Sequence, residues 1–123
     1  MKIQLDTVAG KRALFVAADC VSLLDKKQKD YGPKNIARFG VRGLSVRLYD
    51  KVERLANLLM DKEEDPQNEP LEDTFKDIAN YGIIGLMLLK EQWPRDEQLE
   101  FDTFHGVIEP ETKIEITTET ENV

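Results

Sequence analysis

The chain has 123 residues, 41% of them hydrophobic and 33% charged, enough for one small core and too few for two ordinary domains. A single cysteine (Cys20) and a single histidine (His105) exclude a disulfide framework and a zinc site built on paired cysteines. The formal charge of -7 argues against direct nucleic-acid binding, and the excess sits at one end: residues 1–93 hold 15 basic and 15 acidic side chains, residues 94–123 hold 2 and 9.

Residues 1–10 are expected to form an extended arm, with no apolar block of the kind a secretion signal carries. No apolar run approaches the roughly 20 residues of a membrane span, so the expectation is a soluble, cytoplasmic protein with no membrane partner. Residues 11–93 are expected to form one helical domain. Within it, residues 11–30 place Leu14, Ala17, Ala18, Val21 and Leu24 at helical spacing and stop at Tyr31-Gly32-Pro33, which predicts the first helix. Cys20 falls inside it with no histidine nearby in sequence and reads as a small buried side chain.

The stretch that follows, KKQKDYGPKNIARFGVRGLSVR, brings Lys29, Lys34, Arg38, Arg42 and Arg47 toward the second helix through a glycine-containing loop. Flexible cations beside free N–H groups at a helix start suit a phosphate chain. Tyr31 and Asn35 have the chemistry to stack on a base and hydrogen-bond it. The competing reading is a solvated basic loop ended by an ordinary Tyr-Gly-Pro helix stop.

Residues 41–62 predict a second helix, with Leu44, Leu48, Val52, Leu55 and Leu59 on one side before EEDPQNEP breaks it. At about 100° per residue, Arg47, Asp50, Glu53, Arg54 and Asn57 fall within roughly 120° of one another, opposite the leucines. Taken alone, that stripe reads as a solvated face of surface pairs worth a few tenths of a kcal/mol.

A third helix is expected from Pro70, a favoured first-turn proline, to Trp93-Pro94, with Glu72 and Asp73 complementing its start. Its expected core stripe is Leu71, Phe75, Ile78, Gly82 and Leu89. On the other side, Asp73, Asp77 and Asn80 head a second strip expected to be buried, running into Ile84, Met87 and Leu88 with no charge between Asp77 and Lys90. A helix apolar all round needs more cover than two neighbours supply, so the fold class expected is all-α: a three-helix protomer that completes a bundle as a homodimer or homotetramer. The tail, residues 94–123, is expected to be flexible or loosely docked, or to form a short strand at Ile114 and Ile116 beside the alternating Ile3 and Leu5.

Carboxylates presented from two facing helices suit a hard divalent cation. Asp50 and Glu53 on the second helix and Asp73 and Asp77 on the third are the candidate metal ligands, with Asp73 open to the plainer role of complementing the helix dipole.

The blocks DYGPKNIARFG, GLSVRLYDKVERLANLL and EPLEDTFKDIANYGIIGLMLL, in that order over residues 11–92, resemble the nucleotide modification associated domain group of phage and bacterial genomes. More distantly they are similar to the MazG-like all-α nucleoside triphosphate pyrophosphohydrolases. Those enzymes hold Mg²⁺ through an ExxE pair and an ExxD pair. Here Asp50-x-x-Glu53 stands for the first and Asp73-x-x-x-Asp77, one residue longer, for the second. Spacings of three and four both keep two side chains on one helix face. The resemblance implies a reaction dependent on Mg²⁺ or Mn²⁺ that converts a ribo- or deoxyribonucleoside triphosphate to a monophosphate and pyrophosphate. It assigns metal binding to Asp50, Glu53, Asp73 and Asp77, water positioning or proton acceptance to Asp73 and Glu53, and nucleotide contacts to Lys34, Arg38, Arg47, Asn35 and Tyr31. Two other readings compete: a module that binds a nucleotide or modified base without cleaving it, and an assembly protein whose polar stripes are solvated or paired between protomers.

Overall fold

The computed structural model describes residues 3–60 and 68–94. Thr7 starts the first helix, α1 (Val8–Tyr31): its hydroxyl oxygen accepts the Gly10 N–H at 2.9 Å and so satisfies one of the free amides of the opening turn. That cap sets α1 three residues ahead of the expected start. The helix closes where the Gly32 N–H donates to the Gln28 carbonyl at 2.8 Å, with Gly32 at a φ of +72° that side-chain-bearing residues rarely adopt.

Pro33 then opens a short helix, α2 (Pro33–Ala37), where the sequence had suggested a loop. Proline needs no amide partner at a first helical position and arrives with its φ already helical. Gly40, at φ +65°, redirects the chain into α3 (Gly40–Leu59), and α4 runs over Asn68–Leu89 with Pro70 in its first turn. The expected count of three helices is therefore corrected to four among the described residues. All secondary structure in them is helical: Ile3 and Leu5 form no strand, while Ile114, Ile116, His105 and the acidic tail from residue 95 lie outside them. No described helix is long and apolar enough to cross a membrane.

The principal helix pair is α3 with α4. They run antiparallel, since Leu44 near the start of α3 packs against Gly85 while Lys51, two turns on, reaches Asp77. The core is small, centred on Leu44, Ile84 and Trp93, with Leu24 of α1, Ile36 and Ala37 of α2, and Tyr81, Met87 and Leu88 of α4 packed against it. Trp93 is buried beyond the end of α4, and its Nε1 donates to the Pro33 carbonyl at 2.9 Å. That bond fastens the end of α4 to the start of α2 and satisfies an indole N–H that burial would otherwise strand.

Of the two sides of α4 expected to be covered, the strip from Asp77 and Asn80 into Ile84 is the one turned inward, and the expected core stripe is left largely open. Of the expected core stripe, Phe75, Gly82 and Leu89 are exposed and Leu71 and Ile78 only half-buried. The side that buries is the one headed by polar residues: Thr74 is 2% exposed, Asn80 5% and Ile84 is buried with them. The polar residues there are largely paired, with the Asn80 Oδ1 left over among the described residues. The Thr74 hydroxyl donates to the Pro70 carbonyl at 2.6 Å, the Asn80 side-chain amide donates to the Cys20 carbonyl of α1 at 2.9 Å, and Asp77 meets two lysines. Buried polar groups so paired lose little on leaving water. Cys20 is buried in this α1–α4 contact, as expected of a small core side chain.

Candidate functional site

The polar stripe of α3 borders an open groove of about 560 Å³ lined by Arg47, Asp50, Lys51, Glu53, Arg54 and Asn57, with Tyr81 of α4 as the opposing wall. This size lies in the range of small-molecule sites. Helical repetition explains the lining: from Arg47 to Asn57 these side chains cover one flank of α3, next to the flank on which Leu44 packs α4. Three cations and two carboxylates thus share one surface with an amide and a phenol ring.

Arg47 is held in place from α2. Its guanidinium donates to both the main-chain carbonyl and the side-chain oxygen of Asn35, each at 3.3 Å. The short helix that replaced the expected loop therefore brings Asn35 to the edge of the groove. Lys34, Arg38 and Tyr31 are exposed on or beside α2 and do not line it.

The carboxylates divide into two groups. Asp50 and Glu53 both line the groove from α3. Asp73 stands exposed near the start of α4, outside the groove, and Asp77 is enclosed between helices with 14% of its side chain accessible. Asp77 Oδ1 lies 2.7 Å from Lys27 Nζ of α1 and Oδ2 lies 3.0 Å from Lys51 Nζ of α3. Burial pushes the Asp77 carboxyl upward, but the hydrogen bonds and charges of Lys27 and Lys51 outweigh it and hold the group below the usual carboxylate value.

Among the described residues no three of His, Cys, Asp or Glu stand close enough together to hold a metal ion. The four expected acids thus do not form a cage within one protomer. The Asp50 and Glu53 pair suits a different arrangement, because Mg²⁺ is commonly bound by one or two carboxylates together with the oxygens of a phosphate chain and retained waters. The donor chemistry of the groove fits an ion that arrives with an anionic ligand.

Three residues escaped the sequence reading. Lys51 is four residues from Arg47 and three from Arg54, so helical spacing alone places it beside them. Tyr81 follows Asp77 by four and shares its side of α4. Lys27 carried no such signal: its partner is 50 residues away in the chain.

Residues 27–89, just over half of the chain, match the family model described as Nucleotide modification associated domain 1. The chain belongs to that family. The matched segment contains the whole groove lining, Asn35 and all three members of the Lys27–Asp77–Lys51 cluster, whereas most of α1 and everything after α4 fall outside it. No curated protein and no solved structure matches the chain.

Proposed function

We propose that the groove binds a ribo- or deoxyribonucleoside triphosphate together with Mg²⁺ or Mn²⁺, and that the chain hydrolyses it to a monophosphate and pyrophosphate. The observation that carries this reading is the lining itself, in which Arg47, Lys51 and Arg54 alternate with Asp50 and Glu53 on one helix flank. Guanidinium forks and an ammonium suit phosphate oxygens, whereas two carboxylates without a cation would repel them. Membership in a family associated with nucleotide modification supports the choice of a nucleotide over other polyanions.

In this reading Arg47, braced by Asn35, and Arg54 grip the phosphate chain, and Tyr81 offers a ring on which a base stacks. Asp50 and Glu53 would hold the metal. When bound, that ion supplies neutralisation of phosphate charge and a more acidic water. Glu53 would take the proton as water attacks the α-phosphorus, the bond from that phosphorus to the bridging oxygen breaks, and pyrophosphate leaves.

The test is incubation with a panel of ribo- and deoxyribonucleoside triphosphates plus Mg²⁺ or Mn²⁺, with products identified by mass, beside equilibrium binding of a non-hydrolysable analogue. Monophosphate and pyrophosphate, lost in Glu53→Gln, are expected. Saturable binding without product would establish the second reading, a binding module, which the engagement of Asp77 by two lysines favours because it leaves the groove with two acids rather than four. Absence of both binding and product would end both.

We also propose that a second copy covers the open side of α4. Phe75, Leu86 and Leu89 are more than half exposed there, and Ala79 and Gly82 between them let another helix approach closely. Leu86→Glu is expected to convert a dimer or tetramer to a monomer in light scattering with helix content unchanged. A wild-type chain that is monomeric at all concentrations would refute the assembly.

A further inference from the structure

Asp77 binds one more cation than its charge requires. Lys27 at 2.7 Å is sufficient to neutralise the carboxylate, yet Lys51 also closes on the second oxygen at 3.0 Å. The cluster of one acid and two lysines carries a surplus positive charge, and only one of its lysines lines the groove: Lys51, whose neighbours there are Arg47 and Arg54. Both Asp77 oxygens face ammonium groups, so the site the sequence had reserved for a metal ligand is occupied by the protein's own cations.

Resting on the nucleotide-groove reading above, we propose that Asp77 is a positioning residue: with Lys27 absorbing its charge, it anchors the Lys51 ammonium at the groove wall as a fixed contact for the phosphate chain, and it is not a metal ligand. The physical reason is preorganisation. A free lysine has four rotatable bonds and loses their freedom when it grips an anion. A lysine already tethered at its tip from the helix behind has lost that freedom before the ligand arrives, and so binds more tightly. Lys27 makes the arrangement workable, since an Asp77 charge left to Lys51 alone would cancel the cation the groove needs. The cluster ties α1 to the groove through α4, although α1 contributes no lining residue of its own.

The test uses the full chain and two probes, inorganic tripolyphosphate and Mn²⁺ alone, each measured by calorimetry on wild type, Asp77→Asn, Lys51→Met, the double variant and Lys27→Met. Charge alone predicts that removing the Asp77 carboxylate tightens tripolyphosphate binding, so the two accounts differ in sign. The expected result is weakening by about tenfold in Asp77→Asn, similar weakening in Lys51→Met, and no further loss in the double variant, with Mn²⁺ binding unchanged from wild type. A merely structural Asp77 would give additive losses.

Tripolyphosphate binding in Asp77→Asn equal to or tighter than wild type overturns the inference and leaves the groove reading intact. Loss of Mn²⁺ binding in Asp77→Asn overturns it in favour of a metal ligand. Failure of wild type to bind either tripolyphosphate or any nucleoside triphosphate overturns the groove reading and this inference together. Should Asp77→Asn not fold, Lys27→Met and its double variant with Lys51→Met carry the test: weaker tripolyphosphate binding in Lys27→Met with no further loss in the double variant supports the inference, and wild-type binding or additive losses refute it.

Discussion

The two sides of α4 contrast sharply. The inner side carries Thr74, Asp77, Asn80 and Ile84, three of them polar, and is covered by α1 and α3; the outer side carries Phe75, Ala79, Gly82, Leu86 and Leu89, none polar, and is open. Leu86 is 58% and Leu89 70% exposed. Ranking sides by hydrophobicity therefore assigns the wrong one to the protomer core. A polar side goes inward when its charges and most of its hydrogen-bonding groups meet complementary ones, as Asp77 meets Lys27 and Lys51 and the Asn80 amide N–H meets the Cys20 carbonyl. An apolar side left exposed among the described residues is the surface that the second copy proposed above would cover.

Substitutions on the two sides test this contrast. The largest effect is expected at Ile84: replacement by Ala removes a fully packed side chain from the core with Leu44 and Trp93 and should cost about 2–4 kcal/mol in urea unfolding. A loss well under 1 kcal/mol would mean the inner side is not where the packing energy resides.

Asp77→Asn comes next, at about 1–3 kcal/mol near neutral pH, because it breaks charge-assisted bonds to both lysines. The pH dependence follows from the sign. Asp77 is held below its ordinary value of 3.8, so it binds fewer protons folded than unfolded. Its contribution is complete above that ordinary value and disappears as pH falls through the lowered folded one. Wild type should therefore lose stability below about pH 4 more steeply than Asp77→Asn, and parallel pH profiles would contradict the pairing.

Asn80→Leu should change stability by less than about 1 kcal/mol. The variant gives up one hydrogen bond to Cys20 but also removes a buried Oδ1 that has no partner among the described residues. A large loss would show that the amide specifies the α1–α4 contact.

The smallest effect is expected on the outer side: Leu86→Ala, measured at concentrations where the chain is monomeric, should stay within about 0.5 kcal/mol. A core-sized loss there would erase the contrast between the two sides.

The long helices were legible in the sequence because their boundaries are local chemistry: Gly32 and Pro33 end α1, the prolines of EEDPQNEP separate α3 from α4, and Pro70 sits in the opening turn. The helix α2 was not, since five residues offer too short a window for periodicity and its hold on the fold comes through Arg47 and Trp93, distant in sequence. Of the candidate site, Arg47, Asp50, Glu53, Arg54 and Asn57 were legible as one stripe, because 3.6-residue geometry alone puts them together. Tyr81, which forms the far wall, was not, because a wall contributed by another helix depends on how the two helices are rotated against each other.

The residue sequence by itself determined the helical character of the described residues, a charge excess confined to the last 30 residues and a mixed-charge stripe on α3, since each follows from composition or from spacing along a single helix. Only the tertiary structure decided which side of α4 is core, that Asp77 pairs with Lys27 and Lys51 and does not line the groove with Asp50 and Glu53, and that Asn35 braces Arg47. Those outcomes turn on distances between residues up to 50 positions apart, which depend on how the helices are rotated and crossed against one another.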